Sequence, residues 1–139
     1  HPDAALGLAE VQLLTSRWST AWDLHEARRA LSPSPVRRLP FPDWQGPQSG
    51  AQTLLVQSEQ GLGDIILFAG CLCELQALGI HCVLEVRPRL KRLFERSFPG
   101  IQIVVNEGND AQQQQWLSGL PRIDAQVPIG DRGLPRTLR

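Results

Sequence analysis

The chain has 139 residues, with 14 Lys and Arg against 14 Asp and Glu, so its formal charge at neutral pH is zero. A general nucleic-acid binder needs excess basic groups to displace counterions from phosphates, and this balance excludes that class. Hydrophobic residues make up 42% and charged residues 20%, an ordinary folded composition without an apolar run long enough for a membrane span.

Methionine is absent and position 1 is His, from which the chain is expected to be a piece of a longer protein. Cys71, Cys73 and Cys82 form no disulfide framework, since an odd number leaves one unpaired. On a helix, Cys71 and Cys73 point to different sides and cannot share a metal. His1, His25 and His81 have no ligand spacing either. The expectation is no metal, and buried thiols in a reducing cytoplasm.

In chain order, residues 1–32 read as a helical hairpin. Leu6, Ala9, Leu13 and Leu14 fall at helical spacing, and Trp18, Ala21, Trp22 and His25 resume it after a break at Thr15-Ser16-Arg17. Thr15 or Ser16 is the expected N-cap of the second helix, and Arg28-Arg29 complement its carboxyl end. Such a hairpin cannot bury its apolar faces alone, so it belongs to a repeat array or packs on a neighbour. Residues 33–52 are punctuation: Pro33, Pro35, Pro40, Pro42 and Pro47 with Gly46 and Gly50 exclude regular structure for most of it. Phe41 and Trp44 are expected to staple this linker to a domain surface.

Residues 53–139 alternate in character. Thr53-Leu54-Leu55-Val56-Gln57 reads as a strand buried on both faces. A Gly-rich loop follows, and Asp64 opens a helix from Ile65 to Leu78, closed by Gly79. His81–Val86 is a second strand, Pro88 starts a helix reaching Ser97, and Ile101–Val105 is a third strand. A polar stretch around Trp116 forms a short helix, and Ile123, Ala125, Val127 and Ile129 alternate as a fourth strand. This order predicts an α/β fold with a Rossmann-like parallel sheet of about four strands.

Ligands of such sheets bind beyond the carboxyl ends of the strands. The first loop there is Ser58-Glu59-Gln60-Gly61-Leu62-Gly63-Asp64. Gly61 and Gly63 are expected to adopt unusual dihedrals and admit a ligand closely. Gly61-x-Gly63 with Glu85 as a ribose-binding acid suggests a dinucleotide site. Ile66 at the third glycine position, and a carboxylate where pyrophosphate would lie, count against it. Asp64 is either a helix cap or a base that accepts a proton from a hydroxyl nucleophile. Glu59 and Gln60 beside the two glycines favour the second role.

These residues, with Ile65-Ile66-Leu67-Phe68 after them, resemble the E-Q-G-L-G-D strand-loop-helix of bacterial tetratricopeptide-repeat glycosyltransferases related to heptosyltransferases. Ala77-Leu78-Gly79, Val83–Val86 and Pro88-x-Leu90 continue the match. Arg17-Trp18, Ala21-Trp22, Glu26 and Arg28 look like the last repeat before the catalytic domain, and Pro42-x-Trp44-x-Gly46 looks like the linker. Ile123-Asp124 and Leu134-Pro135 resemble a later strand and loop, so the likeness runs from about Leu6 to Leu138.

The resemblance implies a GT-B arrangement of two Rossmann-like domains. This half faces the acceptor, and a further domain holds the nucleotide sugar, which is the donor substrate; no cofactor is tightly bound. It also implies that Asp64 is the general base, with Glu59, Gln60, Gly61 and Gly63 around the acceptor. The acceptor is a glycan or a protein, and the repeat-like hairpin offers a surface to a protein partner. Where relatives carry a polar Gln and an Arg, this chain has Leu67 and Gly70-Cys71, implying altered acceptor choice or weakened activity. The other readings are a protein-interaction module on a non-catalytic scaffold and, third, a dinucleotide-binding domain. The run Arg87, Arg89, Lys91, Arg92 and Arg96 is a solvated helix face, or a surface that docks an acidic acceptor or the missing domain.

Overall fold

The computed structural model describes residues 1–25, 27, 31, 39–58, 61–106, 113–130 and 133–138. The chain divides into two units, residues 1–39 and 40–138.

In the first unit, α1 spans Pro2–Leu14 and α2 spans Trp18–His25. Pro2 stands at the start of α1, where a missing N–H costs nothing. Ala9, Ala21 and Trp22 are buried, and the Trp22 ring meets His25 edge-on at 5.7 Å. Leu14, expected on the apolar stripe, is 86% exposed. It lies about 100° around the helix from Leu13, outside the Leu6–Ala9–Leu13 row. Thr15 was expected to start α2, but it ends α1: its hydroxyl donates to the Val11 carbonyl at 2.9 Å. The turn is made by Ser16 in the left-handed region at φ 58°. Arg28 and Arg29 lie outside the described residues.

In the second unit, β1 (Thr53–Gln57), β2 (His81–Val86), β3 (Gln102–Val105) and β4 (Ala125–Pro128) form one sheet in the order β3-β2-β1-β4. All neighbours are parallel, so this is the Rossmann-like α/β fold that the sequence predicts. Leu54 sits beside Cys82 on one flank and Ala125 on the other. Side chains alternate between faces along a strand. Leu54, Val56, Cys82, Leu84, Val86, Ala125 and Val127 therefore share one face, packed against the helices. Leu55 and Val83 are fully buried on the opposite face.

The helices on the first face are α3 (Leu62–Phe68), α4 (Cys71–Ala77) and α5 (Lys91–Ser97). They contribute Ile65, Ala69, Leu72, Leu75, Leu90 and Phe94 to the core, with Leu90 supplied by the 3₁₀ turn Pro88–Leu90 that leads into α5. The single helix expected from Ile65 to Leu78 is thus two. At the break, Ala69, Leu72 and Cys73 donate to carbonyls three residues back, tightening the chain into a 3₁₀ turn around Gly70. The apolar spacing runs through this turn unbroken, so periodicity could not reveal it. Gly79, at φ 73°, takes the left-handed position past the end of α4. Two short helices follow, α6 (Gln113–Ser118) and α7 (Leu134–Thr137).

The segment before β1 belongs to this sheet. Trp44 N donates to Gln126 O at 2.8 Å and Gln126 N to Pro42 O at 2.9 Å, so Asp43 forms a parallel bridge along the outer edge of β4. Trp44 enters the core at 3% exposure instead of stapling a surface, and Phe41 is half-buried.

Asp124 fixes the amino ends of β1 and β4. Its Oδ2 accepts from the Gln52 and Thr53 amides at 3.1 and 3.0 Å, and Arg122 pairs with Oδ1 at 3.4 Å. The Thr53 and Gln52 amides, more than Arg122, hold its carboxyl below the ordinary 3.8. A depressed carboxyl contributes stability that is complete above the unfolded value and is lost as pH falls through the folded one. Asp124→Asn is therefore expected to be less stable than wild type by a constant amount above about pH 5, a gap that narrows below about pH 4. Urea titrations of both proteins across that range measure it.

Among the described residues, no helix is long and apolar enough to cross a membrane.

Candidate functional site

The strand order reverses direction at β1: β2 and β3 extend to one side and β4 lies on the other. In parallel sheets such a switch point is where ligands bind, beyond the carboxyl ends of the two strands that flank it, here β1 ending at Gln57 and β4 ending at Pro128. The two strand ends are tied together, since Ile129 N donates to Gln57 O at 2.9 Å.

On the β1 side, Gly61 is the N-cap of α3, with φ −61° and ψ 164°. Asp64 was expected to open the helix, yet it is the third helical residue, with its amide donating to Gly61 O at 3.1 Å. Its half-buried carboxylate folds back toward the loop: a Cβ built on Gly61 would lie 3.6 Å from Asp64 Oδ2. A carboxylate in the first turn is favoured by the helix dipole. Glu59 and Gln60 lie outside the described residues.

The two glycines do not play the conformational part expected of them. Neither Gly61 nor Gly63 has a positive φ, and a Cβ on Gly63 would meet nothing within 4 Å. Gly63 leaves open space, and Gly61 brings the backbone into contact range of the Asp64 carboxylate. Gly63→Ala is expected to raise folding stability by up to about 1 kcal/mol, because alanine is the better helix former. If a substrate approaches the backbone here, the same substitution lowers turnover while the melting temperature rises. Calorimetry beside a rate assay separates the two effects.

On the β4 side, the chain doubles back. Gly133 N donates to Gly130 O at 3.0 Å, and Leu134 is fully buried behind it. A Cβ on Gly133 would come within 2.1 Å of Pro128 O, which is backbone and cannot yield. Gly133→Ala is expected to destabilise the fold by about 1–3 kcal/mol, the usual cost of overpacking, read as a lower urea midpoint. The sequence reading placed Leu134-Pro135 in a later loop but gave Gly133 no role, although the glycines of Gly130-Asp131-Arg132-Gly133 were the available signal.

Near the two strand ends, Gln57 and Gln126 are buried on the face opposite the helices. Gln57 Nε2 donates to Gln126 Oε1, and Gln126 Nε2 donates to Phe41 O at 2.7 Å. Glu85 continues this row on β2, beside Gln57 in the register that pairs Val56 with Leu84, and it is 2% exposed. A ribose-binding acid stands open at the end of its strand; Glu85 is enclosed within the sheet. Among the described residues, no group of three or more His, Cys, Asp or Glu side chains is placed to hold a metal.

No protein-family model matches this chain, and no solved structure matches it. In an alignment 133 positions long that covers 88% of the chain, it is 32% identical to Protein FlbA of Caulobacter vibrioides (strain ATCC 19089 / CIP 103742 / CB 15). The chain spans 22% of that relative's length.

Proposed function

We propose that this chain is the acceptor-facing half of a glycosyltransferase of the tetratricopeptide-repeat type, with Asp64 as general base. The observation that carries the reading is the position of Asp64, half-buried and turned to the loop at the β1–β4 switch point. The E-Q-G-L-G-D resemblance supplies the reaction. An acceptor hydroxyl forms a bond to the anomeric carbon of the donor sugar as the bond from that carbon to the nucleotide phosphate breaks. Asp64 receives the hydroxyl proton, and the nucleotide leaves with the bonding electrons. General bases of this kind contribute about 10²–10⁴-fold to rate.

The open space at Gly63 admits the acceptor to the carboxylate, while Glu59 and Gln60 orient it. A second α/β domain holds the nucleotide sugar, so the 139-residue chain alone is inactive. The acceptor is a glycan or a protein, the hairpin of α1 and α2 serves a protein partner, and the reaction takes place in the cytoplasm. No bound cofactor is required.

The test is nucleotide release by the full-length natural protein, offered a panel of nucleotide sugars with glycan and protein acceptors. Release that requires both donor and acceptor supports a transferase. Capture of a protein partner unaffected by Asp64→Asn, with no release from any donor, would make the chain an interaction module instead. A nicotinamide or flavin absorbance in the purified protein would point to a dinucleotide site.

A further inference from the structure

The run of basic residues after β2 is not spread evenly around its helix. The 3₁₀ turn Pro88–Leu90 leads directly into α5, and Leu90 and Phe94 are the side chains it buries. At about 100° per residue, Arg89, Arg92 and Arg96 fall at i, i+3 and i+7 on the solvent-facing side away from Leu90 and Phe94, and Leu93, at i+4, lies at the edge of this stripe. All four are exposed, Leu93 at 47%. The acid within the helix, Glu95, is engaged by Lys91 on the flank of this stripe. Among the described residues, no carboxylate forms an ion pair with Arg89, Arg92 or Arg96. Three guanidinium groups one turn apart repel one another, a cost that an opposing set of carboxylates removes.

We propose that this stripe docks an acidic protein segment that places carboxylates on Arg89, Arg92 and Arg96 and an apolar side chain on Leu93. Charge complementarity selects an anion, and arginine's planar fork suits carboxylates in particular. Leu93, beside the three arginines, selects the kind of anion. A sugar–phosphate backbone offers far less apolar surface to set against it than a leucine or phenylalanine side chain of a peptide does. One leucine on a short helix is also far less apolar surface than a helix lying in a membrane presents. The stripe covers roughly 10 Å, from seven residues at the helical rise, enough for two turns of a partner helix. This surface stands independently of the transferase reading.

The test uses the 139-residue chain and a labelled helical peptide carrying three glutamates and one leucine at the same spacing, followed by fluorescence anisotropy. Saturable binding that weakens about tenfold or more between low and physiological salt is expected, as for charge-steered contacts. Replacing all three arginines (Arg89→Gln, Arg92→Gln, Arg96→Gln) is expected to abolish it. Leu93→Ala should weaken it severalfold with every charge retained. The replaced side chains are exposed, and an unchanged circular dichroism spectrum verifies folding. The proposal is overturned if a scrambled peptide of equal composition binds as well, or if Leu93→Ala has no effect. Tighter binding to phosphatidylserine-containing vesicles or single-stranded DNA than to the peptide, or no binding at all, overturns it equally.

Discussion

Asp64→Asn in the full-length protein is expected to lower acceptor-dependent turnover by about 10²–10⁴-fold, the usual contribution of a general base. Asparagine keeps the size and planarity of the side chain but takes no proton. Asp64 is a partly exposed residue in the first helical turn of α3, so folding depends on it only through a first-turn charge. That interaction is worth about 0.3–1 kcal/mol. A melting temperature that moves by a few degrees while turnover collapses therefore separates chemistry from stability. Asp64→Glu is expected to recover part of the rate, because the base is kept but displaced by one methylene. Turnover equal to wild type in the Asn variant would reduce Asp64 to a helix-terminus charge.

The second large effect concerns the segment that precedes the sheet. Trp44→Ala is expected to cost about 3–5 kcal/mol, the range for removing a buried tryptophan. For a domain of this size that lowers the melting temperature by more than about 10 °C. The reason is its position: at 3% exposure Trp44 fills the same core as Val56, Ile65 and Leu134, carried there by the bridge between Asp43 and Gln126. Trp44→Phe should be far milder. The indole Nε1 is buried with no hydrogen-bond acceptor among the described residues. Removing an unsatisfied donor recovers about 1–3 kcal/mol of desolvation cost, against the smaller volume of phenylalanine. Equal losses in both variants, measured by calorimetry, would contradict this account of Trp44.

Much of the sheet was legible because parallel strands buried on both faces are written as continuous apolar runs. Leu54–Val56 and Cys82–Leu84 are such runs, and the structure places strands over Thr53–Gln57 and His81–Val86, as expected. The two-helix form of residues 62–77 was not legible, since the turn at Gly70 leaves the apolar period intact. Trp44 was marked as an anchor from its size, but its depth depends on the edge of β4, which lies more than eighty residues away. Gln126 shows the same limit. Alternation identified Ala125 and Val127 as inward-facing, and only the bonds to Gln57 and Phe41 reveal that the other face is enclosed as well.

At the candidate site, Asp64 and its two glycines were singled out from residue type and spacing. The glycines were expected both to take unusual dihedrals and to let a ligand approach closely; neither has a positive φ, and a Cβ on Gly63 would meet nothing within 4 Å. The requirement for glycine at position 133 in the β4 loop was missed because it is a contact with Pro128 O, invisible in composition.

The account rests on the β1–β4 switch point being where substrate meets protein. Amide hydrogen exchange of the full-length protein, with and without the nucleotide sugar and acceptor that support turnover, tests this most directly. New protection is expected around Ser58–Asp64 and Ile129–Gly133, with the far ends of the strands, near Gln52 and Asp124, unchanged. Protection confined to the helices of residues 1–25, with both loops unaffected, would contradict it.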